Sequence, residues 1–230
     1  MDRYLNPAEL ERLLNTVRKV NDPLAQRDYH IIGALANCGA RIHEFSMITV
    51  GQAVNAIKTS HLFFPREHRK GRRARVNSGG VVMSVDRRKD HEVYVNRALK
   101  GHLQALLDRC DGRCDFNAPL IAGRFGQTLT VRAYQLRIQM WADVAGLGLK
   151  VTPHWFRHTL AMNIMRESTA REPLVVVQRV LGHSNINSSA IYAHATREEV
   201  EHVLDAVADV GQGKRRMTLG RLRKQHERGE

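Results

Sequence analysis

Four short stretches of the chain carry residues able to do chemistry. "NCGARIHE" sets Arg41 at a helix start just after Gly39, with Glu44 three residues on. "DRRKDH" sets Lys89 in a turn between two β-rich runs. "HWFRHT" sets His154 and Arg157 three residues apart, hence on one helix face. "LGHSNINSSAIY" supplies His183 and, nine residues later, Tyr192. Singly, each has an ordinary structural reading. Arg41 can pair with Glu44 one turn along, Lys89 can be a solvated turn lysine, His154 a polar residue at a helix start, and Tyr192 a core phenol. The sharper reading of Tyr192 is a hydroxyl that attacks. A phenol ionises near pH 10 in solution, so that reading also calls for a group that takes its proton.

The elements that must position these residues are mostly helices. Asn6 as N-cap, Pro7 at the first helical position and Glu9 three residues after the cap open a helix that carries Leu10, Leu13, Leu14 and Val17 at helical spacing. A turn at "NDP" leads into a second helix, roughly 24–37, ended by "NCGA", and a third starts near Arg41. Residues 50–96 read as the β-rich part, with "HLFF", "VVMSV" and "EVYV" as strands. The pattern predicts a hairpin of "VVMSV" and "EVYV" closed by "DRRKDH", and an exposed basic loop over residues 65–76. Helices follow at "NRALKGHLQALLDRC", "TVRAYQLRIQMWADVAG", "PHWFRHTLAMNIMRES" and "PLVVVQRVLGH". The last, from Thr196 to about residue 210, has a Thr196–Glu199 capping box and an apolar stripe of Val200, Val203, Leu204 and Val207. The expected class is mostly α with a small antiparallel β-sheet, as one domain over 1–210 and a basic tail over 211–230.

Composition bounds the function. The 230 residues are 43% apolar, enough for one packed core. The sequence has no apolar run of membrane-spanning length and no secretory signal at its start. Three cysteines, Cys38, Cys110 and Cys114, do not make a disulfide framework and fit a reducing cytoplasm. Cys110 and Cys114 lack a second Cys/His pair at ligand spacing, so no metal site is expected. No phosphate-binding glycine loop occurs, and no nucleotide cofactor is expected. The formal charge of +13 points to a polyanionic partner, most often nucleic acid. Six basic residues crowd into 65–76 (Arg66, Arg69, Lys70, Arg72, Arg73 and Arg75), a candidate set of phosphate contacts.

Taken together, the boxes resemble the tyrosine recombinases, also called phage-type integrases. "GARIHEFSMI" resembles the family's first-arginine box, "VTPHWFRHTLA" is similar to its His-x-x-Arg-His box, and "VLGHSNINSSAIYAHA" is similar to its Leu-Gly-His box with the tyrosine at the expected offset. The resemblance runs from about Leu5 to Val207. It implies a metal-independent enzyme that breaks a DNA phosphodiester with Tyr192, stores the bond as a 3′-phosphotyrosine, and rejoins it to a new 5′-hydroxyl. Arg41 and Arg157 would hold phosphate oxygens with their planar donor forks. His154 would assist removal of the tyrosine proton, His183 would hydrogen-bond the scissile phosphate, and a turn lysine would protonate the leaving oxygen. Glu44 would orient Arg41 or His154.

The segment between Arg41 and the expected hairpin is longer than the family's habit. Two lysines therefore compete: Lys89 fits the hairpin turn, and Lys70 has the more usual distance from Arg41. The chain also begins almost at the catalytic domain, so a separate N-terminal DNA-clamping domain is not expected, an economy shared with the short fimbrial-type recombinases. The resemblance further implies double-stranded DNA as partner, four protomers on two duplexes with a monomer in the absence of DNA, accessory DNA-bending proteins, and a cytoplasmic location in a prokaryote or its mobile element. The 196–210 helix would dock either on its own core or on a neighbouring protomer. Readings with the same motifs but different outcomes are a type IB topoisomerase, a telomere-resolving enzyme, and a silent DNA-binding regulator. His43, His158 and His194 are read as structural or exposed, and Trp141 and Trp155 as core.

Overall fold

The chain opens as its capping residues dictate. In the computed structural model, Asn6 accepts from the Glu9 amide and Glu9 reaches back to the Asn6 amide, opening α1 (Pro7–Arg18). Asp22 caps α2 (Pro23–Cys38) through the Leu24 and Ala25 amides. The structure describes residues 4–69, 88–110, 115–123, 125–183, 189 and 192, and the backbone alone of 75–76 and 82–84. The remaining elements are α3 (Ile42–Ser46), α4 (Val50–Thr59), β1 (His61–Phe64), a 3-10 turn (Arg66–His68), β2 (Arg75–Val76), β3 (Val82–Ser84), β4 (His91–Tyr94), α5 (Arg97–Leu107), α6 (Val131–Val144), α7 (Pro153–Glu167) and α8 (Pro173–Leu181). They belong to one compact unit that runs to Tyr192. The expected boundary at residue 210, the 196–210 helix and the basic tail lie outside the described residues.

The core is built where α1, α2, α5 and α6 bury their apolar stripes: Leu13 and Val17 from α1, Ile31, Ile32 and Leu35 from α2, Leu99 and Leu103 from α5, Ile138 and Ala142 from α6. One buried charge locks two of these helices. Asp28 of α2 receives Arg137 Nε of α6 at 2.6–2.7 Å and the Trp141 indole N–H at 2.8 Å. Burying that carboxylate is tolerable because each of its oxygens is hydrogen-bonded. Trp141 is thus core, as expected, but with its polar edge in use.

Two expectations for residues 50–96 are corrected. Residues 50–59 form a helix, because Thr49 and Gln52 close a capping box and Val50, Ala53 and Ala56 fall on one buried face. Among the described residues, the "VVMSV" strand of the expected hairpin does not pair with "EVYV". β4 pairs antiparallel with β1, and β3 pairs with β2. Burial decides the partner: β1 alternates exposed and buried, and register places its buried Leu62 opposite the buried Val93 of β4. Lys89 consequently stands just before β4 at the mouth of a two-stranded sheet, not in the turn of a local hairpin.

Candidate active site

Arg41 is the N-cap of α3, whose short helix is closed by its own ion pair. The Arg41 amide and Nη1 both reach the Glu44 carboxylate, at 3.0 and 2.9 Å. Glu44 is 2% exposed. Burial alone would raise its pKa, but the Arg41 amide, the Arg41 guanidinium and Arg69 outweigh it and hold the carboxyl below its ordinary range. Arg41 keeps about a third of its side chain in solvent, so the guanidinium is anchored at one end and open at the other.

Arg157 on α7 is 2% exposed. Its Nη1 donates to the Gly39 carbonyl at 2.5 Å and its Nη2 to the Leu181 carbonyl at 2.8 Å. One guanidinium therefore staples the end of α2 to the end of α8. Both helices end in a left-handed glycine, Gly39 with φ 61° and Gly182 with φ 61°. A Cβ at Gly39 would lie 2.9 Å from both Leu160 and Leu181, and one at Gly182 would lie 2.6 Å from Arg69, so the conformation and the close approach both require glycine. Burial, with Arg41 nearby, pushes the Arg157 pKa down to about 10, which leaves it a cation at neutral pH.

His183 follows Gly182 directly, and its Nδ1 lies 2.8 Å from the Ser189 hydroxyl. Burial first, then the Arg157 and Arg41 charges, lower its pKa to about 4. It is a neutral imidazole at pH 7, and when Ser189 donates to Nδ1 its Nε2 carries the hydrogen that a phosphate oxygen can accept. Tyr192 is 7% exposed, with its ring against Ala161, Val177 and Leu181. Its hydroxyl lies 2.7 Å from Nδ1 of His158, which sequence reasoning assigned to the background. The signal was there: His158 is four residues beyond His154 and therefore on the same face of α7. The two imidazoles meet edge to face with centroids 4.2 Å apart. His154 itself is exposed, and with Arg41, His43, Glu44, His68 and Arg69 it lines a cleft.

Arg69 departs most from its expected place. Read as one of six cations on an exposed loop, it is 10% exposed at the side chain. Its Nη1 donates to the Lys89 carbonyl at 2.8 Å, its Nη2 to the Gly182 carbonyl at 2.6 Å, and its Nε faces Glu44 at 3.6 Å. It joins the first-arginine box, the approach to β4 and the Leu-Gly-His box, so its donors point inward. Arg66 is exposed as expected, beside Glu67. Lys70, Arg72 and Arg73 lie outside the described residues, as does the side chain of Arg75. Lys89 is exposed, with its carbonyl held by Arg69. His43 is exposed and Trp155 packs partly buried on the core, while His194 and Cys114 lie outside the described residues.

Two predictions arise here. Arg69→Ala should lower stability by about 1–3 kcal/mol in urea unfolding, because two carbonyls lose their donor and the buried Glu44 carboxylate loses a neighbouring cation. Arg69→Lys should not restore it, since one ammonium cannot span three partners. A loss below about 0.5 kcal/mol for Arg69→Ala would show that the bracket is not needed. The second concerns pH. Burial pushes His91, His102 and His183 down to about 4 and also lowers His30, whose Nδ1 lies 3.1 Å from that of His102. An unfolded chain protonates these rings near 6.5, so it binds protons that the folded chain refuses. Stability is therefore full above pH 6.5, falls as pH drops toward 4, and gains no further loss from these rings below that. Thermal melts should show Tm falling across this window, and the slope should flatten in His102→Gln. A Tm independent of pH between 6.5 and 4.5 would contradict the assignment.

With a buried tyrosine beside an imidazole and two guanidinium groups at one helix-bounded site, the comparisons with known proteins converge. The sequence matches the phage integrase family over residues 3–199, and the chain belongs to that family. It is 27% identical over 204 residues to the tyrosine recombinase XerD of Pseudomonas aeruginosa, covering 87% of this chain and 60% of that protein. It is 28% identical over 207 residues to the tyrosine recombinase XerC of Anoxybacillus flavithermus, again covering 87% and 60%. The chain thus spans about three fifths of the length of these relatives. Among solved structures it has the fold of the XerA recombinase (TM-score 0.67, 22% identity, 94% of this chain and 65% of that one). It also has that of the Tn1549 transposon integrase solved with transposon right end DNA (TM-score 0.67, 19% identity, 89% and 66%). No helix among the described residues is long and apolar enough to cross a membrane.

Proposed function

We propose that this chain cleaves and rejoins duplex DNA at a defined site through a 3′-phosphotyrosine on Tyr192. The observation that carries the reading is the Arg157 staple: one buried guanidinium ties together the turn before Arg41 and the turn before His183. Three separate stretches of sequence are thereby held together. Arg157 has N–H groups beyond the two used on carbonyls, and Arg41 has an open end. Both can donate to the non-bridging oxygens as negative charge grows in the transition state. Neutral His183 adds a donor without adding charge. Lys89, at the edge of the sheet, is assigned the proton for the departing 5′-oxygen, and Lys70 is the alternative. His154, at the cleft mouth, assists removal of the tyrosine proton, as the resemblance implies. The scheme draws its positive charge from side chains and calls for no cofactor. The family's assembly, four protomers on two duplexes with DNA-bending accessory proteins, is part of the proposal, and so are the phosphate contacts of the basic segment at Arg66, Lys70, Arg72, Arg73 and Arg75.

The reading is tested by incubating the protein with fragmented DNA of the host and its mobile elements, isolating detergent-resistant protein–DNA adducts, and sequencing the attached ends. Adducts clustered at an inverted repeat are the expected result. Scattered adducts would indicate a topoisomerase-like enzyme instead. Tight DNA binding without adducts would indicate a silent regulator.

A further inference from the structure

We propose that His158 takes the proton from Tyr192 as the phenol attacks phosphorus, and returns it on rejoining. The proposal rests on the phosphotyrosine reading and assigns one of its steps to a residue that the sequence motifs leave unassigned. The tyrosine oxygen lies 2.7 Å from His158 Nδ1, within the range required of a general base in contact with its proton. Both residues are buried, Tyr192 at 7% and His158 at 3% exposure. The tyrosine ring is held on its carbon side by Ala161, Val177 and Leu181, and its amide donates to the Ser189 carbonyl at 3.0 Å. The imidazole is held by the edge of His154 and by its place on α7, one residue beyond the clamped Arg157. With Nε2 protonated, Nδ1 presents its lone pair to the phenol.

Arg157 precedes His158 in sequence, His154 packs against its ring from the same helix, and His183 stands in the turn after α8. The phosphate bound between Arg41 and Arg157 offsets the positive charge that His158 gains as reaction proceeds. In cleavage, the phenolic proton passes to His158 Nδ1, the Tyr192 oxygen–phosphorus bond forms, and the phosphorus–5′-oxygen bond breaks. The leaving oxygen takes its proton from the turn lysine. In rejoining, a 5′-hydroxyl attacks phosphorus and returns its proton to the turn lysine, the tyrosine–phosphorus bond breaks, and His158 reprotonates the phenolate. His154 then acts as the positioning residue that fixes the His158 ring.

The test compares the wild-type chain with His158→Asn, whose amide can still hydrogen-bond near the Nδ1 position but cannot carry the proton. The substrate is the duplex that wild-type protein captures covalently from a randomised pool, prepared with the bridging 5′-oxygen and with sulfur in its place. Single-turnover cleavage by His158→Asn is expected to fall about 10²–10⁴-fold at pH 7. It should then rise with pH up to 9.5, where wild type is level, because solvent base takes over. The 5′-sulfur substrate, whose thiolate leaves without a proton, should not repair the defect. A His158→Asn rate within about threefold of wild type with an unchanged pH profile, or repair by sulfur, would overturn the proposal. Capture of no DNA by wild type would overturn the phosphotyrosine reading beneath it. Should the variant fail to fold, the free wild-type chain labelled with [13Cζ]tyrosine decides. The resonance lost in Tyr192→Phe should move as a histidine titrates, and a resonance indifferent to pH wherever the chain stays folded overturns the proposal.

Discussion

Tyr192→Phe should abolish covalent attachment to DNA, lowering cleavage on the order of 10⁴-fold or more, as removal of a nucleophile does. DNA binding should stay within about twofold, since phosphate contacts from the basic residues supply the affinity. The substitution isolates the hydroxyl. Phenylalanine keeps the ring among Ala161, Val177 and Leu181 and loses the hydroxyl contact to His158. The cost in stability is that of one hydrogen bond, about 0.5–1.5 kcal/mol, plus an imidazole left without that partner. Detergent gels of protein incubated with end-labelled DNA read the result directly. Adducts above about 1% of the wild-type yield would mean that another residue attacks.

Arg157→Ala should be nearly as damaging, and in two separable ways. The buried carbonyls of Gly39 and Leu181 lose their donor, at about 1–3 kcal/mol each. The transition state loses a charged fork, worth about 10²–10³-fold or more in rate. Arg157→Lys restores a charge but not two divergent hydrogen bonds, so it should recover part of the stability and little of the rate. Unfolding curves and single-turnover cleavage, both taken well below the variant's Tm, separate the effects. Cleavage by Arg157→Ala within tenfold of wild type would remove this residue from the phosphate site.

What was legible in the sequence was local. Asn6, Pro7 and Glu9 announce α1 because a capping box spans one helical turn. Arg41 with Glu44 and His154 with Arg157 are readable for the same reason. The contacts that complete the site are long-range: His158 meets Tyr192 across 34 positions and Arg69 meets Gly182 across 113. No periodicity encodes such pairs. Arg69 sits in a run of positive charge, and composition assigns the whole run to solvent although one member turns inward toward Glu44. The misplaced hairpin has a similar cause. "DRRKDH" has turn chemistry, but Leu62 and Val93 gain more by burying a shared face than neighbouring strands gain by a short loop. Helix α4 was hidden by its β-branched Val50, Val54 and Ile57, which raise strand propensity without preventing a capped helix.

The central claim is that Tyr192 forms the bond to DNA. It is tested most directly by digesting the captured adduct with protease and nuclease and locating the residual nucleotide by mass spectrometry. A single 3′-linked nucleotide on the peptide that contains Tyr192, and on no other peptide, is the predicted result. A nucleotide on Tyr29, Tyr94 or any serine, or attachment through a 5′-phosphate, would contradict it.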